Sequence, residues 1–251
     1  MSGHSKWSTI KHGKAVTDAR RGKLFTKLAK EIIVAASVGG GDPSSNFQLR
    51  MAVQRAKDSN MPNDNIDRAI KRGTGEGSDG VQMVEVLYEG YGPGGVAIML
   101  ETLTDNRNRT VSDVRATLTK AGGNMAEAGA VAWQFEQKGL ITVDVDEDQG
   151  EEFTLISIDL GADDIDTFDS TLQIYSPPGS MEAIRATLEQ NDAHIRSSEL
   201  SRVPSHTISL DGKQSLQTLR LLDRLEELDD VQRIYSNADF SDEALESYRV
   251  E

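Results

Sequence analysis

Four glycines fall within the eight residues Gly73-Thr-Gly-Glu-Gly-Ser-Asp-Gly80, and the apolar pattern of the chain differs on the two sides of that run. A stretch so rich in glycine supports neither a helix nor a packed strand, so it reads as a linker between separately folding parts. Upstream, apolar residues recur at three- and four-residue spacing. Leu24, Phe25, Leu28, Ile32, Ala35 and Ala36 predict a helix over about 15–38, stopped by Gly39-Gly40-Gly41 and Asp42-Pro43. A second helix is expected from about Ser45 to Ser59, with Phe47, Met51, Val53 and Ala56 turned toward a core. A third begins at Pro62, carries Ile66, Ala69 and Ile70, and ends at Gly73. Three short amphipathic helices make a small bundle.

Downstream the pattern is that of strands. Val81–Tyr88 alternates with Val84, Val86 and Tyr88 on one side, Val96–Leu103 resumes the alternation, and Ala130–Phe135 reads as a strand with Trp133 and Phe135 on one side. Gly90, Gly92 and Gly95 have the spacing of a dinucleotide-binding loop. That motif needs a helix to follow at once, and here a strand follows, so the stretch is a hairpin loop. A helix is expected over about 110–121. The order strand 139–145, helix 149–160, strand 164–168, strand 172–176, helix 180–190, strand 194–202 is the βαββαβ of a ferredoxin-like unit. Its flanks, ββαβ before it and a helix at 213–228 plus a strand at 231–235 after it, complete a second such unit. The expected fold class is therefore multi-domain α+β. An N-terminal three-helix bundle over residues 1–77 precedes a discontinuous ferredoxin-like α/β domain over 78–137 and 204–251. A second ferredoxin-like domain over 138–203 is inserted into it, and the acidic tail from Asp239 is helical or frayed.

The same boundary divides the charge. Residues 1–75 hold 14 Lys/Arg against 6 Asp/Glu, whereas the whole chain holds 27 against 41, which leaves residues 76–251 at a net −22. Such a body repels a polyanion everywhere except at its basic end. The candidate nucleic-acid contacts are accordingly Lys6, Trp7, Lys11, His12, Lys14, Arg20, Arg21, Lys23 and Lys27, with Trp7 offering a ring for base stacking. Arg107 and Arg109 form a secondary pair. They stand where a helix begins and its macrodipole is positive, so they call for an anion, either a phosphate or a carboxylate such as Asp105.

Other chemistry finds no support. The chain has no cysteine, which rules out thiolate ligands, thiol nucleophiles and disulfides. His4, His12, His194 and His206 lack zinc-site spacing, and Asp144, Asp146 and Asp148 with Gly150 read as a solvated acidic turn rather than a calcium loop. No nucleophile elbow occurs, so an enzyme, a cofactor and a metal are all unexpected. No apolar run reaches the ~20 residues that span a bilayer, and the N-terminus lacks the apolar segment of a secretory signal, so a cytoplasmic location with no membrane partner is expected.

Several longer stretches carry a resemblance. Gly3-His-Ser-Lys-Trp-Ser-Thr-Ile-Lys-His12, Arg21-Gly-Lys-Leu-Phe-Thr-Lys27, Gly40-Gly-Asp-Pro43, Tyr88-Glu-Gly-Tyr-Gly-Pro-Gly-Gly95 and Asp105-Asn-Arg-Asn-Arg-Thr110 together resemble the YebC family, from Gly3 to about Asn237. The resemblance implies a three-domain cytoplasmic protein, a helical N-terminal domain followed by two α/β domains, and a role as a DNA-binding transcriptional regulator. Some members are similar in role to translation factors that act on the ribosome and ease stalls at proline-rich stretches, and mitochondrial relatives are translational activators of cytochrome oxidase. It carries over no catalytic residues. Both roles share one core, a nucleic-acid-binding regulator of gene expression whose partner is DNA or ribosomal RNA.

Overall fold

The computed structural model describes residues 18–76, 83–146, 149–168 and 170–250, so the expected linker is seen only as far as Glu76. It opens with α1 (Asp18–Gly39), α2 (Phe47–Asp58) and α3 (Asn63–Gly73). Leu28, Ile32, Ile33 and Ala36 of α1 pack against Leu49, Ala52 and Ala56 of α2 and against Ile66 and Ala69 of α3. Helix α1 stops where Gly40 turns into the left-handed region (φ 84°), its N–H held by the Ala36 carbonyl at 2.9 Å. Asn46 then joins two helices. Its Oδ1 accepts the Leu49 N–H at 3.1 Å, capping α2, while its Nδ2 donates to the Ala35 and Gly40 carbonyls, both at 2.8 Å.

That cap fixes the rotation of α2, and the rotation differs from the expected one. Leu49, Ala52 and Ala56 are buried, whereas Phe47 and Met51 are exposed. The interior beside α2 is lined by Ala35 and Ala36, so the helices approach closely and the small residues of α2 face inward.

After the linker come β1 (Val84–Tyr91), β2 (Ala97–Thr104), α4 (Arg107–Lys120) and β3 (Asn124–Ala126). Next are β4 (Phe135–Asp144), α5 (Gln149–Asp159), β5 (Asp164–Phe168), β6 (Thr171–Ser176), α6 (Met181–Gln190) and β7 (His194–Pro204). The chain closes with β8 (Ile208–Ser209), α7 (Gly212–Glu226), β9 (Val231–Ser236), β10 (Ala238–Asp239) and α8 (Asp242–Val250). The protein is a multi-domain α+β chain.

Strands β1 and β2 pair antiparallel, Tyr88 opposite Leu100, through a one-turn 3₁₀ segment in which Gly94 and Gly95 have φ of 74° and 79°. No α-helix starts there, as the hairpin reading requires. The central sheet has the order β3-β1-β2-β9, so its last strand arrives from the far end of the chain. Helices α4 and α7 cover one face, with Val114, Leu118, Leu219 and Leu222 over Ile98 and Leu100. Leu245 and Tyr248 of α8 enter the same core, so the acidic tail is a packed helix rather than a frayed one. Strands β4 to β7 form a separate sheet of order β5-β6-β4-β7, the ferredoxin-like arrangement. Phe153, Ile184 and Leu188 of its two helices cover Ile141, Val143, Leu172 and Ile174.

The strand expected at Ala130–Phe135 is instead a turn followed by a single 3₁₀ turn over Ala132–Gln134. The cause is Glu89, buried on β1. Its carboxylate accepts the N–H groups of Gly129 and Val131 at 2.6 Å and of Ala132 at 2.9 Å, which curls the backbone around one anion and removes those donors from any ladder. Val131 and Phe135 are buried, while Trp133 is 73% exposed with its Nε1 on the Ala130 carbonyl at 3.0 Å. Trp133→Ala should therefore shift unfolding free energy by no more than about 0.5 kcal/mol in a urea melt, against ~3–5 kcal/mol for a core tryptophan.

Candidate nucleic-acid interface

Lys23, Lys27 and Lys30 follow one another at four- and three-residue steps, so they share one stripe of α1. That stripe faces the carboxyl end of α7, where the last carbonyls of a helix lack partners and its dipole is negative. Lys27 Nζ donates to the Glu226 carbonyl at 2.8 Å, and Lys23 Nζ lies 3.9 Å from the Glu227 carboxylate. Lys30 reaches deepest. Its Nζ donates to the carbonyls of Asp229 at 2.8 Å and Leu103 at 3.3 Å, and to the Asp230 carboxylate at 2.5 Å.

Asp230 is the centre of this junction, its side chain only 7% accessible. Arg109 Nη2 donates to its two oxygens at 3.0 and 2.9 Å and to Asp105 at 2.8 Å; Thr110 Oγ1 donates to Asp230 at 2.7 Å and Thr104 Oγ1 at 3.3 Å. Burial pushes the Asp230 carboxyl up, but the hydrogen bonds from Lys30, Thr110 and Arg109 and the Lys30 charge outweigh it and hold the group below its ordinary range. Arg109 is pushed up in turn, chiefly by its bond to Asp230. The bundle is thereby docked on the central α/β domain through a buried ion pair.

The Glu89 carboxyl behaves like Asp230: burial pushes it up, and the N–H groups of Gly129, Val131 and Ala132 bring it below its ordinary range. A carboxyl lowered in the fold contributes stability above its unfolded-state pKa of ~4 and loses it as pH falls through the folded value. The thermal midpoint should therefore hold between about pH 7 and 5 and drop steeply below about pH 4. Melts across that range, repeated on Glu89→Gln, should show the variant less stable at neutral pH and its acid limb shallower.

The expected contacts fall into three groups. Lys6, Trp7, Lys11, His12 and Lys14 lie outside the described residues. Arg20 sits in the first turn of α1, Arg21 follows it with an exposed side chain, and Arg107 is exposed at the start of α4. Lys23, Lys27 and Arg109, by contrast, are engaged by the protein's own acids and carbonyls. For Arg109 the anion is the carboxylate alternative, Asp105 together with Asp230. Sequence reasoning missed two other groups. Asp230 lies 200 residues from Lys30, and nothing local marks it as buried. Exposed cations on the later helices, Lys57 on α2 and Arg68, Lys71 and Arg72 on α3, extend the basic surface of the bundle and were legible as polar positions of amphipathic helices.

Comparison with known proteins places these features in a group. A family model described as the TACO1/YebC protein N-terminal domain matches residues 5–76, and one described as the TACO1/YebC second and third domain matches residues 83–238. A protein of Dehalococcoides mccartyi named a probable transcriptional regulatory protein is 53% identical over 248 residues, covering 99% of this chain and 98% of that one. A protein of the same name from Natranaerobius thermophilus is 50% identical over 250 residues, covering 98% and 100%. Among solved structures, a conserved hypothetical protein of Aquifex aeolicus superposes with a TM-score of 0.82 at 44% identity, covering 93% of this chain and 96% of that one.

Proposed function

The chain belongs to the TACO1/YebC family, and we propose that it is a non-enzymatic cytoplasmic regulator of gene expression that binds nucleic acid through its helical N-terminal domain. The observation that carries this reading is the charge division. A net −22 over residues 76–251 leaves the basic bundle and the residues before it as the surface on which a polyanion is stable. The names of the relatives support a regulatory role. The docking of α1 supports a division of labour within the bundle. Its Lys23–Lys30 stripe holds the body, while Arg21, Lys57, Arg68, Lys71 and Arg72 are exposed on the bundle.

A second reading uses the same surface, a ribosome-associated translation factor that relieves stalling at proline-rich stretches. In its favour, a basic bundle mounted firmly on an acidic body can enter among ribosomal RNA phosphates while the body is held outward by repulsion.

Titration against random duplex DNA, beside sedimentation with 70S ribosomes at the same salt, tests the proposal. Tight sequence-dependent DNA binding without ribosome pelleting supports the transcriptional form, and saturable pelleting with weak DNA binding supports the translational one. Failure of both partners to bind overturns the proposal.

A further inference from the structure

The three domains meet around an open cleft of about 840 Å³. Its floor is the sheet face that α4 and α7 leave uncovered, where Leu87 of β1 and Glu101 of β2 stand opposite each other. Helix α2 forms one wall and β7 of the inserted domain forms another. Four large apolar side chains remain open to solvent there, Phe47 (64% exposed), Met51 (46%), Leu87 (37%) and Leu200 (41%). Isolated exposed apolar residues need no explanation, but four converging from three domains on one concavity mark a binding surface.

Charge decides the class of occupant. Each cleft arginine already holds a carboxylate: Arg55 Nη1 lies 2.9 Å from Glu31, Arg202 Nε 3.2 Å from Glu101, and Arg233 Nη2 2.9 Å from Glu199. A phosphate backbone would have to displace those acids. Among the described residues the cleft's one carboxylate without a cation is Glu85, which favours a neutral or weakly basic occupant, and the cleft also holds an unpaired amide. Gln232 is the extra residue of a bulge in β9, between Arg233 opposite Glu101 and Val231 opposite Thr102, and its Nε2 is buried with no acceptor among the described residues. β9 is an edge of the central sheet, β7 is an edge of the inserted sheet, and both border the cleft. Edge strands offer backbone donors and acceptors to an added chain, and an extended chain turns alternate side chains to one side.

We propose that this cleft seats an extended segment of a protein partner, neutral or weakly basic and apolar at alternate positions. The proposal is independent of the nucleic-acid reading, since none of the described cations assigned to that reading lines the cleft.

The test is fluorescence anisotropy on the full chain with pools of labelled synthetic peptides carrying randomised Val, Leu or Phe at alternate positions and Ser, Thr or Lys between them. Peptides of the same composition with helical spacing serve as the control. Saturable binding is expected from the alternating pools alone. Met51→Lys and Leu200→Lys should each weaken it at least ~10-fold. Both Met51 and Leu200 are exposed, so an unchanged thermal midpoint separates loss of the surface from loss of the fold. The proposal is overturned by pools that fail to saturate or by binding indifferent to these substitutions. It is equally overturned if Met51→Lys dissolves a dimer in sedimentation equilibrium, or if single-stranded oligonucleotide binding is lost in the same variants.

Discussion

Asp230→Ala should lower the unfolding free energy by roughly 3–5 kcal/mol. Removing this carboxylate leaves Lys30, whose side chain is only 11% accessible, as a buried cation with carbonyl partners but no counter-charge. Arg109 contributes little to the loss, because its side chain is 48% exposed and keeps Asp105. Lys30→Met gives the contrasting case. It removes the cation, fills much of the same volume, and leaves Asp230 still bonded to Arg109 and Thr110, so its effect should be less than half as large. For a chain of 251 residues, Asp230→Ala corresponds to a fall in midpoint of about 6–20 °C. Because Lys30 and Asp230 belong to different domains, the melt should also lose cooperativity, with the bundle unfolding ahead of the α/β body. A single unshifted transition in differential scanning calorimetry would show that the docking is carried elsewhere.

The helices and strands were legible from local pattern because each signal is local. The alternation and stops of residues 139–202 predicted six elements that the structure finds as β4 to β7 with α5 and α6, at bounds differing by a few residues. Local pattern failed where a distant group overrides it. Trp133 and Phe135 alternate as strand residues do, yet Glu89, more than 40 residues earlier, gathers the N–H groups of the turn onto one carboxylate and turns the indole out. Phe47 and Met51 have the spacing of a buried face, yet the Asn46 cap and the alanine-lined bundle rotate α2 so that they line a cleft. The candidate interface was half legible for the same reason. Composition gives the sign of charge and the segment that holds it, whereas the partition of Lys23, Lys27 and Lys30 toward α7 depends on how two domains dock. A lysine stripe is the same sequence signal whether it faces a phosphate or the carboxyl end of a helix.

Replacing Lys11, Lys14 and Arg21 together with glutamate should abolish nucleic-acid binding at moderate salt while leaving the fold intact. The argument rests on counterion release. Each phosphate contact contributes about −0.9 to the slope of log K against log salt on duplex and about −0.7 on single strands, so losing three should flatten the slope by roughly 2–3. Reversal rather than removal adds repulsion and extends the acidic field of the body, at net −22, into the basic end. Of the three, Arg21 is the one among the described residues, and it belongs neither to the bundle core nor to the Lys30–Asp230 pair. Lys27→Glu supplies the matched contrast: an anion facing the Glu226 carbonyl at the end of α7 should destabilise the docking, with the salt slope unchanged. The two variants thus separate the cations that hold the domains from those that meet the partner. Binding by the triple variant within about threefold of wild type, with an unaltered slope, would mean that the polyanion lies along α2 and α3, where Lys57, Arg68, Lys71 and Arg72 are next to be reversed.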